Sequence, residues 1–211
     1  MHPPPPDTST ASFSVAILAF DEVEALDFAG PYEVFTTASR VHARQQTAGA
    51  PALFEVRSVA RSLSPVRARA GLRLLPDTDF TGIGQPDVLV VPGGVIDQPL
   101  RCAATLAWLR QAHPRSRITA SVCTGVFALA AAGVVSRERV TTHWEDITDL
   151  RTQFPALQVE EHVRWIDNGH TVSSAGISAG IDMSLHLVAR LAGDALARRT
   201  ARQMDYRWQT A

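Results

Sequence analysis

The chain's chemistry centres on Ser121-Val122-Cys123-Thr124-Gly125. Cys123 is the candidate nucleophile, and small residues stand two positions to either side of it. Ahead of it, Ile118 to Val122 is apolar and β-branched and predicts a short buried strand. Behind it, an alanine- and leucine-rich run predicts a helix. The thiol therefore falls where a strand turns sharply into a helix. That is the logic of a nucleophile elbow, with sulfur in place of a hydroxyl. Unpaired N–H groups and the positive end of a helix dipole gather there, so the expected thiol pKa is lowered. The competing reading is a buried, inert cysteine, a common core residue.

Other residues can serve such a thiol. Asp27 can hydrogen-bond it or shuttle a proton, if burial raises its pKa; its alternative role is to cap a helix. Thr124 N–H, at the helix start, and Gly94 N–H, freed by the Gly93-Gly94 turn, are candidate donors to a developing negative charge. Glu33 is a possible stand-in for Asp27 from the first turn of a helix. His143, with Glu145 two residues on, is a candidate base or pocket hydrogen-bonder; on a strand the two side chains would share a face. His113, His162, His170 and His186 form no metal-ligand spacing, so no metal is expected.

These residues need a frame. Phe13 to Phe20, Phe54 to Ala60 and Asp87 to Val91 are strand-length apolar runs. An acidic loop from Asp21 to Asp27 precedes a helix expected from Tyr32 to about Arg44, with Pro31 at its first position. Pro65 to Pro76 reads as a hairpin, residues 99–112 as a helix, and Val140 to Trp144 as a strand edge. A short helix is expected from Asp146 to Phe154. His162 to Ile166 and Thr171 to Ser174 flank Asp167-Asn168-Gly169 as a second hairpin. Ser178 should cap a helix that Gly193 ends, and Asp194 should open a last basic helix to about Trp208. Strands alternating with helices predict an α/β fold, a mostly parallel sheet with helices on both faces. Ligands bind such sheets beyond the carboxyl ends of the strands. Asp27, Gly93-Gly94 and Cys123 all follow such ends and should converge.

The 211 residues carry a formal net charge of -1 and are 45% hydrophobic. This fits one domain over 13–211 behind a disordered tail over 1–12, rich in proline, serine and threonine. Near-neutral charge gives no reason to expect nucleic acid, no run is apolar enough to span a membrane, and nothing resembles a secretory signal. Two cysteines make no disulfide framework. A cytoplasmic setting is the expectation. The basic last helix, with Arg190, Arg198, Arg199, Arg202 and Arg207 in and near it, reads as a solvated face or a dimer contact.

The chain resembles the ThiJ/PfpI superfamily, also called class I glutamine-amidotransferase-like, over roughly Ser14 to Tyr206. The resemblance rests on Leu26-Asp27-Phe28-Ala29-Gly30-Pro31-Tyr32-Glu33-Val34-Phe35, on Val90-Val91-Pro92-Gly93-Gly94 and on Ser121-Val122-Cys123-Thr124-Gly125. Thr141-Thr142-His143-Trp144, followed by Ala175 to Asp182, completes it. Within the superfamily it is similar to isonitrile hydratases and to the N-terminal domain of AraC-type regulators. The hydratase likeness implies a flavodoxin-like sandwich, a homodimer and a small-molecule substrate, with no cofactor. It implies attack of Cys123 on an isocyanide carbon to give a thioimidate, proton handling by Asp27, a site lined by Thr124, and an N-substituted formamide as product. Thr124 stands where PfpI-type members carry histidine, which disfavours a peptidase. His143 lies too close to Cys123 for a glutamine amidotransferase. After Tyr206 there is no room for a helix-turn-helix, which disfavours a complete transcription factor. The regulator likeness implies the alternative, a non-catalytic domain that senses a ligand or oxidation.

Overall fold

The computed structural model describes residues 12–210. Eleven strands run in chain order: β1 (Phe13–Leu18), β2 (Phe54–Ala60), β3 (Val66–Arg67), β4 (Arg73–Leu74), β5 (Thr78–Asp79), β6 (Val88–Val91), β7 (Ile118–Val122), β8 (Arg139–Val140), β9 (Gln158–Val159), β10 (Trp165–Asp167) and β11 (Thr171–Ser174). The helices are α1 (Ala25–Ala43), α2 (Asp97–Arg101), α3 (Ala103–Ala112), α4 (Gly125–Ala131), α5 (Ile147–Gln153), α6 (Ala179–Ala192) and α7 (Asp194–Gln203).

Seven strands form one sheet in the order β10-β11-β7-β6-β1-β2-β5. All its neighbours pair parallel except the β10–β11 hairpin. The middle strands β6 and β7 are buried along their whole length, as strands covered on both faces must be. One layer is built from α1, α6 and α7, which pack on one another; α2, α3 and α4 form the other. The expected α/β sandwich is present. Ser12, the last residue of the expected tail, donates to the Ala52 carbonyl; residues 1–11 lie outside the described residues. Among the described residues no helix is long and apolar enough to cross a membrane.

Five local expectations need correction. Helix α1 begins at Ala25, so Asp27 sits in its first turn and Pro31 is internal. Proline there removes the N–H that would bond the Asp27 carbonyl; burial of Phe28, Val34 and Phe35 on the same helix outweighs that loss. Cys102 splits the expected 99–112 helix into α2 and α3 by taking an extended conformation. Strand β8 stops at Val140, and Trp144–Asp146 forms a 3-10 turn, so His143 and Glu145 share no strand. Ser178 stands at the start of α6, but its side chain makes no capping bond. The basic helix ends at Gln203.

Candidate active site

The parallel register pairs Val91 with Ser121. Two residues on, it brings Gly93 level with Cys123. Cys123 follows the last residue of β7 and precedes α4 by one residue, with φ 55. A non-glycine residue in this left-handed region costs about 1–2 kcal/mol. Two bonds hold it there. Its N–H donates to the Ser174 carbonyl at 3.2 Å, and its carbonyl accepts from Thr142 Oγ1 at 2.9 Å. Gly125 is required for the turn: a Cβ there would lie 2.0 Å from the Val91 carbonyl oxygen.

Asp27 reaches the same place from α1. It is fully buried. Its Oδ2 accepts from Gly93 N–H at 3.1 Å. A Cβ on Gly93 would stand 2.6 Å from Thr124 N and 2.9 Å from Asp27 Oδ2, so only glycine lets the three segments meet. Asp27 Oδ1 is buried without a partner among the described residues. The Cys123 thiol faces this carboxyl closely enough to favour its ionised form, although the alignment falls short of a formed bond. Burial pushes the Asp27 pKa up to about 7, opposed by the Gly93 N–H bond.

The thiol departs from expectation. Burial first, then the Asp27 charge, pushes the Cys123 pKa up to about 12. Thr124 N–H and Ile177 N–H point at the sulfur and pull the other way, without prevailing. The expected helix effect is present but small, because α4 is short and the sulfur is out of water. Above about pH 7 the pair therefore holds one proton and one negative charge. In that range the proton sits on sulfur and the charge on Asp27, and below it Asp27 is protonated as well. The thiol with a lowered pKa is Cys102: hydrogen bonds from Thr105 and Ala104 outweigh the opposing burial.

The structure thus brings Asp27, Gly93, Gly94, Cys123 and Thr124 together. It also changes what two of them offer. Gly94 N–H is not free for an anion; it donates to Thr124 Oγ1 at 2.9 Å, and that hydroxyl donates back to the Gly94 carbonyl at 2.9 Å. The Thr124 side chain thereby ties the two turns together. Glu33 is not in the site. It lies exposed on α1, accepting from Thr37 and Arg40.

His143 lines an adjoining cavity of about 540 Å³ with Trp144, Ile147, Val163, Arg164 and Ile177. Its ring packs on Gly176, and its Nδ1 lies 3.5 Å from Asp146 Oδ2 and accepts from Glu145 N–H at 3.3 Å. No hydrogen bond joins it to Cys123 among the described residues. Sequence reasoning missed Ile177 and Asp146, which act on the thiol, and Thr142, which holds the Cys123 carbonyl. Ile177 lies 54 positions from Cys123 and acts through its backbone, at φ 47, so its side chain carries no signal.

The family model for the DJ-1/PfpI family matches residues 13–190. The chain belongs to the DJ-1/PfpI family. An isonitrile hydratase of Pseudomonas putida is 34% identical over 196 residues, 92% of this chain and 79% of that relative. The HTH-type transcriptional regulator CdhR of Pseudomonas aeruginosa is 30% identical over 84% of this chain, which spans 50% of the regulator. Among solved structures, a ThiJ/PfpI family protein from Pseudomonas syringae superposes with a TM-score of 0.80 at 27% identity, covering 100% of this chain and 83% of that one. The recognised resemblance and the flavodoxin-like fold therefore stand. DJ-1/PfpI relatives include both a named enzyme and named regulators, so family membership alone does not choose between them.

Proposed function

We propose that this chain is a cysteine-dependent hydratase that converts isocyanides to N-substituted formamides. The observation that carries the reading is the buried Asp27 carboxyl, with one oxygen unpartnered, facing Cys123. The likeness to an isonitrile hydratase supports the substrate class.

The chemistry follows from the shared proton. As Cys123 sulfur bonds the terminal isocyanide carbon, Asp27 takes the thiol proton and passes it to that carbon. The product is a thioimidate, R–N=CH–S–Cys, and Asp27 is again a carboxylate. Thr124 N–H and Ile177 N–H stabilise charge on sulfur as the thiol is deprotonated. Water then adds to the same carbon, and Asp27 takes a proton from it and delivers it to nitrogen. The C–S bond breaks, the hydroxyl becomes the carbonyl, its proton returns to sulfur, and R–NH–CHO leaves. A carboxyl with a pKa of about 7 suits both directions of transfer at neutral pH. The substituent R is assigned to the adjoining cavity, whose apolar walls are Trp144, Ile147, Val163 and Ile177. No cofactor takes part in this scheme. A homodimer in the cytoplasm belongs to the same reading; exposed Leu26 and Val95 beside the site are the apolar surface it would cover.

The test is formamide formation from cyclohexyl isocyanide, followed by chromatography. Wild type should turn over, and Cys123→Ala should be inactive. Turnover surviving in Cys123→Ala, or none in wild type, overturns the reading. The second reading is a ligand-sensing domain, favoured by the likeness to regulators. It predicts saturable ligand binding without product. Its redox version is disfavoured, because a thiol held near pKa 12 is a poor thiolate source for oxidation.

A further inference from the structure

This protein has twenty arginines and no lysine. Three of them gather far from the thiol, where the end of α1 packs on α7. Arg44, Arg199 and Arg202 line a groove of about 390 Å³ with Gln45, Gln203 and Val41. None of the three forms an ion pair with a carboxylate among the described residues, whereas their helix neighbours are matched, Arg40 with Glu33 and Arg198 with Asp194. What holds two of the three guanidiniums is neutral. Arg44 Nη1 donates to Gln203 Oε1 at 2.8 Å, and Arg199 Nη2 donates to Gln45 Oε1 at 3.2 Å. Amide oxygens orient the two forks without cancelling their charge. Arg199 Nε is buried and has no partner among the described residues. A buried cationic donor left unmet is costly, and three like charges around one groove repel one another.

From this geometry we infer that the groove is an oxyanion site, taking the phosphate or diphosphate group of a small molecule. Guanidinium forks match such oxygens with paired hydrogen bonds, and Val41, buried beneath them, lowers the local dielectric. The groove has the volume of a small-ligand site rather than of a bare ion. The site is independent of the Cys123 chemistry. Its natural rival is that the arginines only complement the carboxyl ends of α1 and α7, which needs no ligand.

The experiment uses the full chain and inorganic diphosphate, by calorimetry and thermal unfolding at constant ionic strength. Wild type should bind and unfold at a higher temperature with diphosphate. An Arg199→Gln, Arg202→Gln double variant should bind at least about tenfold more weakly, while its isocyanide turnover stays unchanged. No binding by wild type, or equal binding by the double variant, overturns the proposal and leaves the arginines to the helix ends. Tighter binding to a single-stranded oligonucleotide than to diphosphate overturns it in favour of a nucleic-acid surface. If the double variant fails to fold, Gln45→Ala is used, which keeps all three charges; a weakened affinity supports the oriented fork, and an unchanged one overturns it.

Discussion

Among the described residues two aspartates are fully buried, and both sit in the first turn of a helix: Asp27 in α1 and Asp182 in α6. Their surroundings differ in one respect. Asp182 is matched on both oxygens. Oδ2 accepts from Arg164 Nε at 2.6 Å, and Oδ1 accepts from Gln209 N–H at 2.9 Å. Its own carbonyl takes the Trp208 indole N–H at 3.1 Å, so the stretch after α7 is strapped across α6. Asp27 has the Gly93 N–H on one oxygen and nothing formed on the other. Burial without a full set of partners raises a carboxyl's pKa and leaves a site for a proton. One aspartate holds the fold together. The other is held, at a cost, by the fold. A buried charge therefore signals chemistry only when its partners are missing.

The largest effect that separates the two is on turnover. Asp27→Asn should lower isocyanide hydration by roughly 10²–10⁴-fold, the ordinary worth of a proton-transfer group, as read by steady-state kinetics. Asp182→Asn should leave the chemistry near wild type in whatever fraction folds.

Stability should run the other way. Asp182→Ala leaves Arg164 Nε and the Gln209 N–H without an acceptor and should cost about 3 kcal/mol in urea unfolding. Asp27→Asn should stabilise the protein in alkali. A folded-state pKa raised from its ordinary value near 4 to about 7 means that stability is complete below pH 4. It is lost as pH rises through 7, by ~4 kcal/mol at most. Urea midpoints of wild type should therefore fall between pH 5 and pH 9, and those of Asp27→Asn should stay level. A level wild-type profile would mean that Asp27 is charged at no cost, and the contrast with Asp182 would collapse.

Two smaller effects sharpen the picture. Iodoacetamide at neutral pH should label Cys102 before Cys123, because hydrogen bonds lower the pKa of the first and burial raises that of the second. Peptide mapping reads the order, and faster labelling of Cys123 would restore a preformed thiolate. Thr124→Val removes both bonds to Gly94 and should cost about 1 kcal/mol, with turnover reduced as the two turns lose register.

The sequence by itself determined the frame. Apolar runs marked β1, β2, β6 and β7, turn residues marked the β10–β11 hairpin, and small residues at 121 and 125 marked a sharp turn at Cys123. Each is a local property, set by side-chain size and periodicity within a few residues. Convergence of Asp27, Gly93 and Cys123 was also legible, because strand ends in a parallel sheet share an edge. The tertiary structure alone decided the rest. It decided that Gly94 N–H is taken by Thr124, that Ile177 and not Gly94 offers an N–H to the sulfur, and that Glu33 faces away. It also set both pKa values of the pair. Helix position argued for a lowered thiol pKa, but burial and the facing carboxylate are sums over residues distant in the chain. Desolvation outweighs the dipole of a helix only seven residues long.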